Sequence, residues 1–336
     1  MPDPAPTTYG SDDNGLIWAY RFRPGESGTP LSASEVASAI TDGPGDDFLW
    51  VHCTQAHVNC ERWLREILKL PGEYLESLHD PAGSTRIEQG DDALIAALND
   101  VPFDFTGDPG AIASVRLCLQ PRLLVSARIK PLRSIDRLRA AVKAGADYRS
   151  ATEVMAHLLR EQAGVLGEIC QSTAAKVDSI EDELLADRRV TTRRDLGDLR
   201  RLLVRLQRLL APEPAAMFRL LSRPPLWLTP DDVQDLRQAG EEFSAEVGDA
   251  ASLVERVKLL QEELAAHLNE QTNRTLFLLT VVTVFALPIN IVAGLFGMNV
   301  GGIPWSENRH GFALIVVALI LVTAGTAVVT IRRRGG

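Results

Sequence analysis

Near the C-terminus, Asn273, Thr280, Thr283 and Asn290 interrupt an otherwise apolar stretch at regular spacing. Polar side chains at membrane depth face protein or a water-filled path, where they find hydrogen-bond partners. Stepping by three and four from Asn273 gives Leu276, Thr280, Thr283, Leu287, Asn290 and Gly294, so the polar groups share one helical face. That face ends at Gly297-Met298-Asn299. Amide oxygens on such a face, Asn299 among them, could accept hydrogen bonds from water and would hold a cation less tightly than carboxylates. Asn290 adds a second amide, while Leu276 and Leu287 could form apolar constrictions that gate by excluding water. Gly297, Gly301 and Gly302 would let the backbone turn closely about an axis. Threonine and asparagine in a span also serve as glue between helices. The continuity of this face along the whole span favours a pore.

Other chemistry is sparse. His52, Cys53, His57 and Cys60 could hold zinc, but Trp50 to Cys53 reads as a buried strand whose alternate side chains point to opposite faces, and that is the stronger reading. His310 is the imidazole nearest the span, and neither span contains His or Cys, so direct zinc ligation inside a pore is not expected. Arg188, Arg189, Arg193, Arg194, Arg200, Arg201, Arg205 and Arg208 read as a solvated face paired with acidic residues downstream. No nucleophile and base set, phosphate loop or hydrolase motif marks an enzyme, and no cofactor is called for.

Leu276 to Phe296 and Phe312 to Ile331 are uncharged runs of 21 and 20 residues, each long enough to cross a hydrocarbon core as a helix. The average of 46% hydrophobic side chains conceals them. Arg332, Arg333 and Arg334 follow the second run, and basic flanks stay on the cytoplasmic side, which puts both termini inside and residues 297 to 311 outside. Residues 1 to 275 hold 43 acidic and 31 basic side chains, a balance that speaks against nucleic acid as a partner. Four unpaired-looking cysteines argue for reduced thiols. Residues 1 to 14 have no signal-peptide pattern and read as a disordered tail.

From about residue 15 to 130, five β-type runs (LIWAYRF, DFLWVHC, DALIAALNDV, AIASVRLCLQ, RLLVSARI) alternate with turns and short helices, which predicts a mixed sheet flanked by helices. Residues 131 to 228 read as helices broken near Gly145, around Val190 and across Pro212 to Pro225. Thr229-Pro230-Asp231-Asp232 then carries a capping residue, a proline suited to the first turn and two aspartates at the positive end of the helix dipole. With no proline before Pro288, a stalk helix over 229 to 275 could run on into the first span. Its seam of Val233, Leu236, Gly240, Phe243, Val247, Ala250, Val254, Val257, Leu264 and Leu268 predicts packing between several copies of the chain.

Phe296-Gly297-Met298-Asn299 after a proline-containing span, followed by a short loop, a second span and a basic end, resembles the CorA family of divalent-cation transporters. Asn299-Val300-Gly301-Gly302-Ile303-Pro304, Trp50-Val51-His52, Gly83-Ser84-Thr85-Arg86 and Leu226-Trp227-Leu228-Thr229-Pro230-Asp231-Asp232 are similar to its bacterial zinc-transporter branch. The resemblance covers nearly the whole chain. It implies a funnel-shaped homopentamer with an α+β cytoplasmic domain, long stalk helices and two C-terminal transmembrane helices (residues 276 to 336) in the bacterial inner membrane. It also implies pore positions at Asn273, Leu276, Leu279, Thr283, Leu287, Asn290, Gly294 and Asn299, where the helical face takes Thr280 in place of Leu279. The acidic outer loop of that family is reduced here to Glu307.

The expected function is therefore transport of a divalent cation, zinc first, with the bilayer and further copies of the chain as partners. A magnesium, cobalt or nickel channel of the same family and a membrane-anchored sensor without transport are the alternatives. The 11 acidic residues between Asp231 and Glu270 could bind cytosolic divalent ions between subunits and stabilise a closed state.

Overall fold

The computed structural model describes residues 10–41, 45–80, 85–90, 92–105, 113–186, 193–298 and 309–334, and divides into two compact units, Met1–Gln261 and Glu262–Gly336. The first unit is built on a seven-stranded sheet. Its strands are β1 (Leu16–Phe22), β2 (Thr29–Leu31), β3 (Phe48–Thr54), β4 (Arg86–Gln89), β5 (Leu94–Asp100), β6 (Ala113–Gln120) and β7 (Leu123–Arg128), in the spatial order β2-β1-β3-β7-β6-β5-β4. Only β3 and β7 pair in parallel, with Trp50 opposite Leu124. The other pairs are antiparallel.

Both faces of this sheet are covered, which is why its central strands read as nearly continuous apolar runs. Phe48 and Trp50 point to one core with Trp18, Tyr20, Phe22, Leu117 and Leu124. Leu49, Val51 and Cys53 point to the other with Ile95, Cys118 and Val125. The second core is closed by α1 (Ala33–Thr41), α2 (Cys60–Glu66) and α3 (Gly72–Ser77) through Val36, Trp63, Leu64 and Tyr74. The first is closed by α4 (Arg133–Lys143), α5 (Ala151–Leu185), α7 (Pro212–Leu221) and the opening turns of α8 (Pro230–Phe296). All five strand-like runs of the sequence are strands. Missing from that reading are β2 and β4, the two sheet edges, whose TPL and RIEQ sequences carry no apolar alternation because they bury almost nothing.

Some expectations are corrected. The chain is already ordered at Asp12, whose Oδ1 accepts from the backbone N–H of Asn14 and Leu16, both at 2.9 Å, so the tail expected over 1 to 14 ends earlier; residues 1–9 lie outside the described residues. Helix α4 stops just before Gly145, which takes φ +97° in the turn that follows. Helix α6 (Arg193–Leu210) precedes α7, and Pro212 opens α7, since proline fits the first helical turn where its missing N–H has no partner to lose.

The largest correction concerns the seam of α8. Leu236 and Ala239 enter the core beneath the sheet, and Phe243 and Ala250 pack with Ala163, Leu166 and Ile169 of α5 and Leu202, Leu206 and Leu210 of α6. Phe243 is 1% exposed and Val257 is fully buried inside one chain. The three-four spacing therefore reports packing on the chain's own helices down to Leu260, and further copies are not needed to cover it. Ion pairs follow the same contact: Arg149 with Asp235 at 2.5 Å, Arg160 with Glu242 at 3.8 Å, and Arg256 with Asp178 at 2.6 Å and with Glu181. Arg149 and Arg160, and not the α6 arginines whose side chains are described, meet the acidic residues of α8, while Arg256 of α8 meets those of α5. Arg194, Arg205 and Arg208 are exposed and form no ion pair among the described residues, Arg200 reaches only Gln261 at 3.4 Å, and Arg188 and Arg189 lie outside the described residues.

Helix α8 starts with a closed cap. Thr229 Oγ1 accepts from the N–H of Asp232 at 3.1 Å, while Asp232 Oδ2 accepts from the Thr229 hydroxyl at 2.7 Å and its N–H at 3.2 Å. The other carboxylate oxygen accepts from the Ser150 hydroxyl at 2.5 Å, and Ser150 Oγ in turn caps α5 by accepting from Glu153 N–H at 3.1 Å. One half of a carboxylate thus serves each helix. Replacing it (Asp232→Ala) should cost about 2 kcal/mol, because it removes a cap and leaves two hydroxyls unpaired, measured by urea unfolding. Phe243→Ala should cost about 3 to 5 kcal/mol without changing the oligomer size seen by light scattering. A smaller assembly with unchanged unfolding would return the seam to an intersubunit role.

Candidate ion pathway

The second unit contains the end of α8 and helix α9 (Gly311–Arg334). Among the described residues α8 alone is long and apolar enough to cross a membrane, and none of its apolar window is buried within the chain; the described side chains of α9 end at Gly325. Helix α8 is continuous through Pro288, which has no N–H to offer the Val284 carbonyl.

Because the segment is helical throughout, the positions of its residues follow at about 100° per residue. Asn273, Leu276, Leu279, Thr280, Thr283, Leu287, Asn290 and Gly294 all fall within an arc of about 120°. Leu279 and Thr280 are both inside it, so the two assignments of that position describe neighbouring parts of one face. Every one of the eight is exposed in the single chain. The same arc also contains Thr272, Asn269 and Glu262, which stand among other polar residues before the apolar run. Arg274 lies on the opposite side of the helix, where its long side chain can reach the headgroup level.

The threonines are internally satisfied as donors. Thr272, Thr280 and Thr283 each donate to the carbonyl four residues back (Leu268, Leu276 and Leu279) at 2.8 Å. Their oxygen lone pairs are left pointing outward as acceptors. The Asn273 and Asn290 amides make no hydrogen bond among the described residues. At the C-terminal end of α8, Gly297 N–H closes the helix on the Ala293 carbonyl at 2.9 Å. A Cβ at Gly297 would sit 2.9 Å from that same oxygen, which makes glycine a steric requirement there. Met298 is exposed, and Asn299 and Glu307 lie outside the described residues. His310 is exposed at the start of α9, its carbonyl accepting from Leu314 N–H at 3.1 Å.

The possible cytosolic zinc cluster is not a metal site. His52 is fully buried, Nδ1 donates to Ser126 Oγ at 2.8 Å, and Nε2 accepts from Arg128 Nε at 2.8 Å, so both ring nitrogens are occupied. Ser126 also accepts from Trp50 Nε1 at 3.0 Å and donates to the Val51 carbonyl at 3.3 Å, closing the network. Burial and the guanidinium groups of Arg128 and Arg139 hold the His52 pKa well below the ordinary value, so the ring is neutral. Cys53 lies against Cys60, and burial together with that contact raises its thiol pKa well above normal. Among the described residues no three His, Cys, Asp or Glu side chains are grouped to share a metal.

Comparison with known proteins matches an α/β domain followed by a long helix. Residues 45–333 match the family described as CorA-like Mg2+ transporter protein. The chain is 28% identical over 305 residues to the divalent cation transporter CmaX of Pseudomonas aeruginosa, covering 90% of this chain and 91% of that one. It is 24% identical over 308 residues to the zinc transport protein ZntB of Yersinia enterocolitica, covering 92% and 93%. Among solved structures, full-length CmaX superposes with a TM-score of 0.82 over 96% of this chain and 99% of that one. The complete CorA magnesium transporter of Methanocaldococcus jannaschii gives 0.73 at 18% identity, over 95% and 98%, a likeness of fold. The chain belongs to the CorA family of divalent-cation transporters.

Proposed function

We propose that this chain forms a homopentamer in the bacterial cytoplasmic membrane, with both termini inside, and conducts zinc through a central pathway lined by the exposed arc of α8. The carrying observation is that arc. Asn273 and Asn290 cannot face lipid with their amides unpaired, since each unpaired polar group in hydrocarbon costs several kcal/mol. Water and other copies of α8 supply the partners, and α9 forms the outer, lipid-facing layer. Asn299, next after Gly297 and Met298, forms the outer ring, accepting hydrogen bonds from the hydrated ion. The similarity to zinc transport proteins along most of the chain supports zinc. With oxygen donors alone along the arc, the ion passes hydrated, since zinc binding would call for nitrogen or sulfur. That same oxygen-only lining favours magnesium as the second reading.

Uptake into proteoliposomes tests the reading. Zinc should enter faster than magnesium, Asn299→Ala should abolish selectivity between them, and no uptake of any divalent cation would leave a sensor or scaffold as the function. Dependence on an imposed pH gradient identifies proton coupling, and independence identifies a channel. Thr283→Val keeps the shape and removes one acceptor oxygen per subunit, and Asn290→Leu removes the amide; each should slow uptake about tenfold, an increase of ~1.4 kcal/mol in the barrier. Gly297→Ala should impair uptake comparably through the displaced end of α8, with unchanged assembly on a sizing column.

A further inference from the structure

Asn99, near the end of β5, is the centre of a buried polar knot. Its backbone N–H donates to Glu213 Oε1 at 2.5 Å, and its carbonyl accepts from Gln162 Nε2 at 3.0 Å. Its side-chain Nδ2 donates to Thr85 Oγ1 at 3.0 Å and to the Leu209 carbonyl at 2.9 Å. A single residue therefore ties β5 to the first turn of α7, to α5 and to the last turn of α6. Asn99 is 0%, Glu213 1% and Gln162 3% exposed.

Three oxygens of this knot receive no hydrogen bond: Glu213 Oε2, Asn99 Oδ1 and Gln162 Oε1. The amide nitrogens of Asn99 and Gln162 already donate and the Thr85 hydroxyl acts on Glu213 as a donor, so the three open oxygens leave the knot with a surplus of acceptors. A surplus of this kind around a buried carboxyl group is resolved by adding positive charge, as a proton or as a metal ion. The surroundings favour the proton. The described residues contain no carboxylate and imidazole or thiolate group fit for a metal, and both oxygens of nearby Asp100 are engaged, by Val101 N–H at 2.7 Å and by the Ser134 hydroxyl.

Among the described residues no cation on the adjoining elements pairs with Glu213: the guanidinium of Arg137 on α4, which feels the Asp100 charge, is paired with Glu168 at 2.5 Å. Asp100 stands on β5 with Asp136 of α4 beside it. On β4, Arg86 and Glu88 pair with each other at 2.5 Å on the surface; on α5, Glu161 meets His157 at 3.2 Å; on α6, Arg205 and Arg208 are exposed. We propose that Glu213 is carried as the neutral carboxylic acid, its Oε2–H donating into the knot, and that losing this proton as pH rises frees the α6–α7 joint from β5. Burial and the negative field of Asp100 both hold the Glu213 pKa well above the ordinary carboxyl range, in agreement with the geometry. A raised pKa in the folded state means that the knot's stability is fully present at low pH and is lost as pH climbs through the folded value. Asp100, pushed up by burial to about 7, adds a like charge beside Glu213 once it ionises.

Infrared spectroscopy of the full-length protein in detergent micelles, in buffer free of divalent metal, tests this. At one pH unit above the Asp100 value of about 7, wild-type protein should still show the carbonyl stretch of an un-ionised carboxylic acid, and Glu213→Gln should lack it. Raising the pH further should remove the band together with the hydrogen-exchange protection of the Asn99 amide and of α7, while Glu213→Gln keeps that protection. If Glu213→Gln does not fold, the wild-type titration decides alone. Absence of the band at that pH, or its appearance only after treatment with a chelator, would overturn the proposal, the latter outcome in favour of a bound metal ion.

Discussion

The carboxylate of Asp232 is the point from which the helical part of the first unit is set out. It closes the cap of α8 with one oxygen and reaches the capping serine of α5 with the other, so the two longest helices of that unit start from a common anchor. A side chain with 7% of its surface exposed cannot leave these donors to water, so breaking the pair leaves buried polar groups unmatched. From that origin the helices run side by side, and the later ion pairs at Arg160 and Arg256 and the apolar seam at Phe243 and Ala250 fall into register. The exposed ion pairs add little energy of their own. Their contribution is to keep the two helices from sliding along the seam.

The sequence made legible whatever is written locally. Strand-like runs, the cap at Thr229, the absence of proline before Pro288 and the two uncharged runs all depend on residues within a few positions of each other. Edge strands β2 and β4 were not legible, because an edge buries too little to impose alternation. Nor could periodicity name the partner of the α8 seam: the same spacing serves a symmetric coiled coil and a helix laid on its own neighbours. The tie between Ser150 and Asp232 spans 82 residues, and that between Asn99 and Glu213 spans 114. No pattern along one chain announces contacts of that reach.

The candidate pathway shows the same division. Its polar face was legible because apolar surroundings make each Thr and Asn conspicuous. Asn269 and Thr272 were missed for the converse reason, standing among other polar residues where an extra one attracts no notice. The cluster around His52 was conspicuous by composition, and there the parallel pairing of β3 with β7 decides its role: it places Ser126 opposite His52, turning an apparent ligand set into part of a satisfied core.

The threonines of α8 spend their only proton on the helix itself. What they show outward is lone-pair density, which attracts the positive end of any dipole and repels anions. A surface of this kind sorts ions by the sign of their charge while bearing no formal charge of its own. In the proposed pathway a cation crossing this face is never held by a counter-charge deep enough to trap it, while chloride or phosphate meets the unfavourable dipoles of the threonines.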